Sequence, residues 1–580
     1  MARLSILSQD EINALYAIPT LDDEERAFLF SLDAEDQVIL DTLEKDTARK
    51  VNYILQLGYY RAVGYFFLFS FQKVKTDADF IMRLYFSEEA FPKKQVSKNH
   101  HYHNRRLVMN RFDLKEADVC FQTQLFKEAK VLAKRHSLSR FVLEGLLSYC
   151  QLHNVLRPAY SSLQDMVSSA LRAERKRLVN KLYTDTDKEL RGQLDKLLAN
   201  DALFYNLTLL KKDQKDFSTT EIKKSVAKQQ LIKGIYQQSK TLMPKLGLSE
   251  QNIVYYANLA EFYSIPKLRR FADKNLVRLY LLCYVHRRFL KINDHLVSSL
   301  IQKMSKYADE ADDYQRSKIV LQETADTQLR HQAYQVMAIN IDKRIPDDQV
   351  RAKAFEVIPL ADYQQFLNDF KKPNIDRDFY RWQYYGDIAL TIKRNIRPLF
   401  KALEFSCTNE KLLQAIAFLS QQLNSHLSFR DYAYQDVPMD FFPKSLKKFL
   451  TYKVSVDGRS SVKKVNGNLY ETMVYHQIKQ GIANATVFIK DSHCYCALED
   501  YLIDADDWTQ NKEQILQQLN MPLLLMNIED LLNQLETSNQ VKFEQVNRHI
   551  RCGDNPSLKA HYNKQGELLK WTLPYTRLDD

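Results

Sequence analysis

Residues 157–181 read RPAYSSLQDMVSSALRAERKRLVNK. A proline-containing turn leads into apolar residues at helical spacing, and Ser161 with Gln164 makes the pattern of a capping box. The far end of the helix carries Arg172, Arg175, Lys176, Arg177 and Lys181. A helix of this kind fits the DNA major groove, and its cationic groups can replace counterions condensed on phosphates. Taken alone, such a segment reads first as a solvated basic face. Its neighbours shift the balance. Helices are expected over about 122–136 and 139–153, the second starting at Ser139 after HSLS. Three short helices ending in a basic one form a helix-turn-helix arrangement.

Upstream, a first helix starts at Ser8, capped with Glu11, and ends before Pro19. A helix over Asp33–Leu43 precedes ARKVNYILQLGYYRAVGYFFLF, where aromatics recur at helical spacing around Gly58 and Gly64. They are too dense to serve as a stacking platform and read as core. Positions 22–46 are acidic, from Asp22 and Asp23 through Asp33, Glu35 and Asp36 to Asp46. Lys93, Lys94, Lys98, Arg105, Arg106 and Arg111 then follow without an intervening carboxylate, a segregation that points to a binding face. His100, His101 and His103 have no cysteine or carboxylate at ligand spacing, so they are read as touching phosphate or water and no metal is assigned.

Downstream, 183–245 reads as a helical arm whose KKDQKDFSTTEIKKSVAK is a solvated face of mixed sign. Periodic helices run from about 250 to 340 and, after Pro346, to about 430. The most apolar stretch, LVRLYLLCYVHRRFL at 276–290, is broken by Arg278, His286, Arg287 and Arg288. It is a helix buried in protein rather than a membrane span. Near Tyr452, Asp457-Gly458 and Asn466-Gly467 sit at turn positions among Val and Tyr and permit a hairpin. A second hairpin is expected around Gln565-Gly566. Cys494-Tyr-Cys496 reads as structural, and no repeat of fixed period emerges.

Only 12 glycines and 14 prolines in 580 residues predict a mainly α, multidomain protein. No GxGxxG or GxxxxGK[ST] string occurs, so dinucleotide and nucleoside-triphosphate chemistry lacks support. A net charge of +11 tolerates a polyanionic partner. Seven scattered cysteines suit a reducing cytoplasm, and the N-terminus lacks the apolar core of a secretory signal. The expected divisions are N-terminal helical DNA-binding (1–115), a second helix-turn-helix-like module (116–182), an arm and scaffold or dimerisation region (183–340), a helical scaffold (341–450) and an α+β segment (451–580).

The strings LSQDEINALYAIP, NYILQLGYYRAVGYF, LRPAYSSLQDMVSSALRAERKRL, YSIPKLRRF, IRPLFKALEF, VPMDFFPKSLKKFL and NLYETMVYHQIKQGIANATVFIKDSHCYCALEDYLIDADDW, taken in order, resemble the N-terminal and middle parts of the Tn-three-type replicative transposases of bacteria. The resemblance implies binding to the double-stranded DNA of transposon terminal inverted repeats, with a helical middle region that helps join protomers or pairs with intact transposase, in a bacterial cytoplasm and away from membrane. It also implies a following ribonuclease-H-like domain whose acidic residues hold two divalent ions such as Mg. The chain ends at Asp580, before such a domain would begin. Glu499, Asp500, Asp504, Asp506 and Asp507 read as surface charge, so no catalytic residue and no cofactor is assigned. The expectation is a DNA-binding part without chemistry of its own. The alternatives are a split DDE enzyme completed by a downstream frame, or a non-catalytic helical scaffold. DNA contacts are expected from Lys98, Arg105, Arg106 and Arg111 in one module, and from Arg157, Arg172, Arg175, Lys176 and Arg177 in the other.

Overall fold

The computed structural model of the chain describes residues 4–43, 46–92, 96–201, 204–370, 377–424, 437–456, 460–503 and 505–518, with short pieces between 529 and 572. Lys93, Lys94, Asp457-Gly458, Asp504 and Gln565-Gly566 lie outside them. The protein is mainly α, as its scarcity of glycine and proline dictates. It divides into two units, Met1–Tyr495 and Cys496–Asp580.

The larger unit opens with α1 (Gln9–Tyr16), α2 (Asp23–Leu29), α3 (Ala34–Thr42), α4 (Thr47–Val63), α5 (Lys75–Tyr85) and α6 (Lys98–Arg111). Ser8 caps α1 in the expected box with Glu11, and Asp22 and Asp33 cap α2 and α3 in the same way. Part of the acidic run is therefore capping chemistry, with carboxylates placed where orphan N–H groups need acceptors. Helix α4 is buried on every side from Val51 to Tyr59, so it forms the axis of this core, and the aromatics around it are core as expected. Gly58 lets α2 approach: a Cβ there would stand 2.2 Å from Phe30 Cδ1. Gly64, at φ 66°, ends α4 in the left-handed conformation.

Helices α7 (Val119–Arg135), α8 (Ser139–Leu152) and α9 (Tyr160–Asp185) build a second core from Leu125, Ala129, Val142, Leu146, Leu163 and Val167. Leu7 of the N-terminal segment joins it. Two details differ from the sequence reading. Helix α9 starts at Tyr160 behind Ala159 with no side-chain cap, because Gln164 reaches instead to Leu4 O at 2.6 Å. Nor is α9 short. It runs 26 residues, about 39 Å at 1.5 Å per residue, and its second half contributes Leu178, Val179 and Leu182 to the next core.

That third core gathers α10 (Lys188–Lys196), the strand pair β1 (Asn200–Asp201) and β2 (Phe204–Tyr205), α11 (Asn206–Lys211), α12 (Thr219–Leu246), α13 (Glu250–Phe262), α14 (Ile265–Arg270) and α15 (Lys274–Ile341). Helix α15 has 68 residues, about 100 Å, and its buried positions run from Leu276 to Ala311. The 276–290 stretch is thus a buried helix, as read. Arg288 is tolerated inside because Asp213 and the Lys212 carbonyl receive its guanidinium. No helix among the described residues is long and apolar enough to cross a membrane.

Next come α16 (Asp347–Val357), α17 (Leu360–Phe370), α18 (Arg377–Asp387), α19 (Ala389–Ala402), β3 (Phe405–Cys407), α20 (Glu410–Asn424), α21 (Lys444–Leu450), β4 (Thr451–Val456), β5 (Ser460–Val465), α22 (Gly467–Ala483) and β6 (Val487–Ile489). β4 and β5 form the expected antiparallel hairpin, with Val454 opposite Val462. Asn466-Gly467, however, is not a turn. The Asn466 side chain accepts from Asn468 N and Leu469 N and so caps α22. β3 pairs antiparallel with β6, Ser406 opposite Phe488.

In the smaller unit, α23 (Ala505–Gln518) carries Asp506, Glu499 and Asp500 sit in a single 3-10 turn, and β7 (Lys559–Tyr562) pairs antiparallel with β8 (Leu568–Thr572). This is the second expected hairpin.

Burial pushes His286 and His476 down to about 4, so both are neutral in the folded protein at pH 7. An unfolded histidine titrates near 6.5 and takes up its proton first. The stability these two supply is complete above pH 6.5 and is lost as pH falls towards 4, at up to about 1.4 kcal/mol per pH unit for each. Urea midpoints are expected to drop between pH 7 and pH 5, and the His286→Gln/His476→Gln variant to flatten that slope.

Candidate nucleic-acid interface

The cations singled out by the sequence divide into exposed and committed groups. Helix α6 shows how. Ser97 caps it, accepting from His100 N, and its inner face buries His101, Asn104, Val108 and Met109. Asn104 donates to Arg49 O and Asn52 Oδ1 at 2.9 Å each. His101 sits 3.2 Å from both Asn52 Nδ2 and Gln56 Nε2, with its ring edge-on to Phe69. This corrects the expectation for His101: it is a polar core residue, and burial lowers its pKa.

The outer face of α6 carries Lys98, Tyr102 and Arg106 at successive turns, with His103 beside them, all exposed. Among the described residues the side chains of Lys98 and Arg106 form no ion pair. Tyr102, 60% exposed, is the residue that sequence reasoning missed. Its position four residues from each cation was the available signal, since an exposed ring between cations suits a base or a sugar.

Arg105 and Arg111 are held elsewhere. Arg105 pairs with Glu116 at 3.0 Å and lies over the Phe66 ring. Arg111 pairs with Asp33 at 2.8 Å and Glu35 at 2.7 Å, and its Nε is 3.6 Å from Asp36. Acidic and basic runs that are segregated along the sequence are here neutralised against each other in space, which corrects the inference of a basic face at Arg111.

Arg157 is turned inward. The residue before a proline is held extended, and its side chain reaches back between α1 and the end of α4. There Nη2 donates to the carbonyls of Leu15 and Val63, with Tyr16 and Tyr65 flanking the guanidinium at 5.0 and 5.6 Å. Burial lowers its pKa. Tyr16 Oη donates to Pro158 O at 2.9 Å, and Ile6 N and Leu7 N donate to Tyr160 Oη, so this corner ties the N-terminal segment to the start of α9. Arg157 and Arg105 both line a cavity of about 340 Å3 there. Arg157→Met is expected to cost about 1–3 kcal/mol in urea denaturation by leaving two carbonyls without their donor. Arg157→Lys should not restore it, because an ammonium cannot make the planar fork and stack together.

On α9, Arg172, Arg175 and Lys176 are exposed, as is Lys181. Arg172 and Lys176 stand one turn apart on the outer face, and among the described residues neither side chain forms an ion pair or hydrogen bond. Arg175 lies near Tyr255: burial raises that phenol and the guanidinium partly offsets the rise. Arg177 faces inward and is a brace. Its Nε and Nη2 hold the buried Glu174 at 2.8 and 2.6 Å, while Nη1 and Nη2 donate to Leu246 O at 3.1 Å each, closing the end of α12. The exposed set is therefore Lys98, Arg106, Arg172, Arg175 and Lys176, and the committed set Arg105, Arg111, Arg157 and Arg177. Apart from Glu174, three residues before Arg177, the carboxylates and carbonyls that claim the second set come from other elements, so sequence alone does not separate the two sets.

Residues 6–170 match the family model described as a domain of unknown function, DUF4158. The match runs from α1 into α9 and ends two residues before Arg172. Over 406 residues, 67% of this chain, the sequence is 23% identical to the transposase for transposon Tn1546 of Enterococcus faecium. The chain is similar to a Tn-three-type transposase. It spans 38% of the length of that relative. The resemblance drawn from the seven sequence strings therefore stands, and it covers the N-terminal and helical middle regions. Among the described residues no group of three or more His, Cys, Asp or Glu side chains is placed to hold a metal ion.

Proposed function

We propose that this chain binds double-stranded DNA at transposon ends, as the end-recognition and scaffold part of a transposition system. The observation that carries the reading is the exposed, unpaired basic face of α9, Arg172 and Lys176, on a helix long enough to lie along a groove, in a chain similar to a transposase. The Lys98–Tyr102–Arg106 face of α6 supplies a second set of contacts. Two sites on one chain raise affinity through effective concentration without further contacts. A helix-turn-helix mode, in which α9 enters the major groove after the α8–α9 turn, belongs to the same proposal.

Removing four committed arginines from the interface lowers the expected salt dependence. With up to five phosphate contacts, affinity should fall about 10²–10³-fold between 50 and 200 mM salt, and the slope of log K against log salt should be about −4 to −5. The test is a gel shift of the chain on the inverted repeat adjoining its own gene, beside unrelated duplex of equal length. Tighter binding to the repeat supports the reading. Equal binding removes the claim of end recognition, and no binding at low salt returns the protein to the helical-scaffold alternative.

A further inference from the structure

A further concentration of positive charge lies outside α6 and α9. Between Lys444 and Lys464 the sequence sets seven lysines and arginines against one carboxylate, Asp457. This segment builds α21 and the β4–β5 ribbon, and among the described residues β4 and β5 pair only with each other. The root of the ribbon is fixed. Leu450 and Val465 are buried in the third core, and Asn466 N donates to Leu450 O at 2.7 Å. Beyond the root the side chains turn outward. Lys453 stands directly opposite Lys463 on one face, both exposed, and Tyr452 stands opposite the half-buried Lys464 on the other. Lys444 and Lys448 are exposed on the helix that leads into β4, whereas Lys447 is paired with Asp440 at 3.4 Å.

We propose that α21 and the β4–β5 ribbon form a further binding site for duplex DNA, one that holds the phosphate backbone without reading sequence. The site rests on the function proposed above for its partner, and it lies beyond both α9 and the family match over residues 6–170. The exposed cations among the described residues of this segment are all lysines, which meet phosphates as point charges whatever the base sequence. Lysines on both faces of the ribbon suit a groove walled by phosphates on either side, and the major groove, about 12 Å wide, admits a two-stranded ribbon. An acidic protein surface would meet one face only. Lysines on open strands also deter pairing with a neighbouring sheet. That need ends with the strands, and it leaves Lys444 and Lys448 on α21 unexplained.

The experiment is fluorescence anisotropy of the full chain on two long labelled duplexes of equal length, one carrying the inverted repeat and one unrelated, over a salt series. The ribbon's phosphates add to those of α6 and α9, so the salt slope should steepen from about −4 to −5 on the repeat alone to about −8 on the long duplex. Lys453→Gln/Lys463→Gln and Lys444→Gln/Lys448→Gln remove only exposed charges, so the thermal midpoint should stay that of the parent. Each pair is expected to weaken binding about tenfold at about 100 mM salt, equally on both duplexes, and to reduce the slope by about 2. If the parent binds the two duplexes equally, end recognition fails, and the same tenfold fall still supports the ribbon. Affinity and slope untouched by both double variants, or no binding by the parent at low salt, overturn the proposal. A fall confined to the repeat overturns it as well, because the contact would then read sequence.

Discussion

Arg61→Met is expected to lower stability by about 3–5 kcal/mol. Its Nη2 holds Asp36 at 2.8 Å, and that carboxylate is fully buried. The same guanidinium donates to the carbonyls of Leu29 and Ser31, closing the turn after α2. Without it, Asp36 keeps only the longer 3.6 Å approach of Arg111 Nε as a cationic partner. A charge stranded in a low-dielectric core costs more than the pair gains, so the loss comes mainly from the orphan. Asp36→Leu introduced into the same variant should recover much of it, because the stranded charge is then gone. Urea unfolding followed by circular dichroism measures both. A single variant within about 1 kcal/mol of the parent would refute the assignment of Asp36 as an obligatory buried ion.

Arg172→Glu/Lys176→Glu is expected to weaken binding to the transposon end about 100-fold at 100 mM salt, which corresponds to about 2.7 kcal/mol. The salt slope should shrink by about 2, one unit for each phosphate that is no longer neutralised. Both residues are exposed, so the folded state should be untouched, and an unchanged thermal midpoint is the control. The contrasting variant is Arg177→Met. It removes the brace on Glu174 and Leu246 O, so the protein should lose stability through the stranded Glu174, while the salt slope stays that of the parent. If the charge reversal leaves the gel shift where it was, α9 is a solvated face and the proposed function loses its support.

Local signals are legible in the sequence, and long-range ones are not. The Ser8 box, the α4 aromatic core, the α7 and α8 boundaries, the buried 276–290 helix and both hairpins depend on spacing within a few residues, and each is found where periodicity and turn chemistry place it. The errors share one cause. Ser161 and Gln164 satisfy a capping pattern, yet Leu4, far away in sequence, offers Gln164 a carbonyl. Asn466-Gly467 is a turn dipeptide that serves equally as a helix start. Arg111 and Arg157 look available until α3 brings carboxylates to one, and α1 and α4 bring carbonyls to the other. A basic residue is a DNA ligand only if nothing nearer has claimed it, and that competition is settled by tertiary structure.

Helix α9 has a practical corollary. Because one continuous rod carries Leu163 and Val167 in one core and Leu178 and Leu182 in the next, severing the polypeptide near residue 170 would expose an apolar stripe on both fragments. A transplant of the N-terminal portion onto another carrier should therefore extend past Asp185 and mask Val179 and Leu182 with polar replacements, or the graft will aggregate.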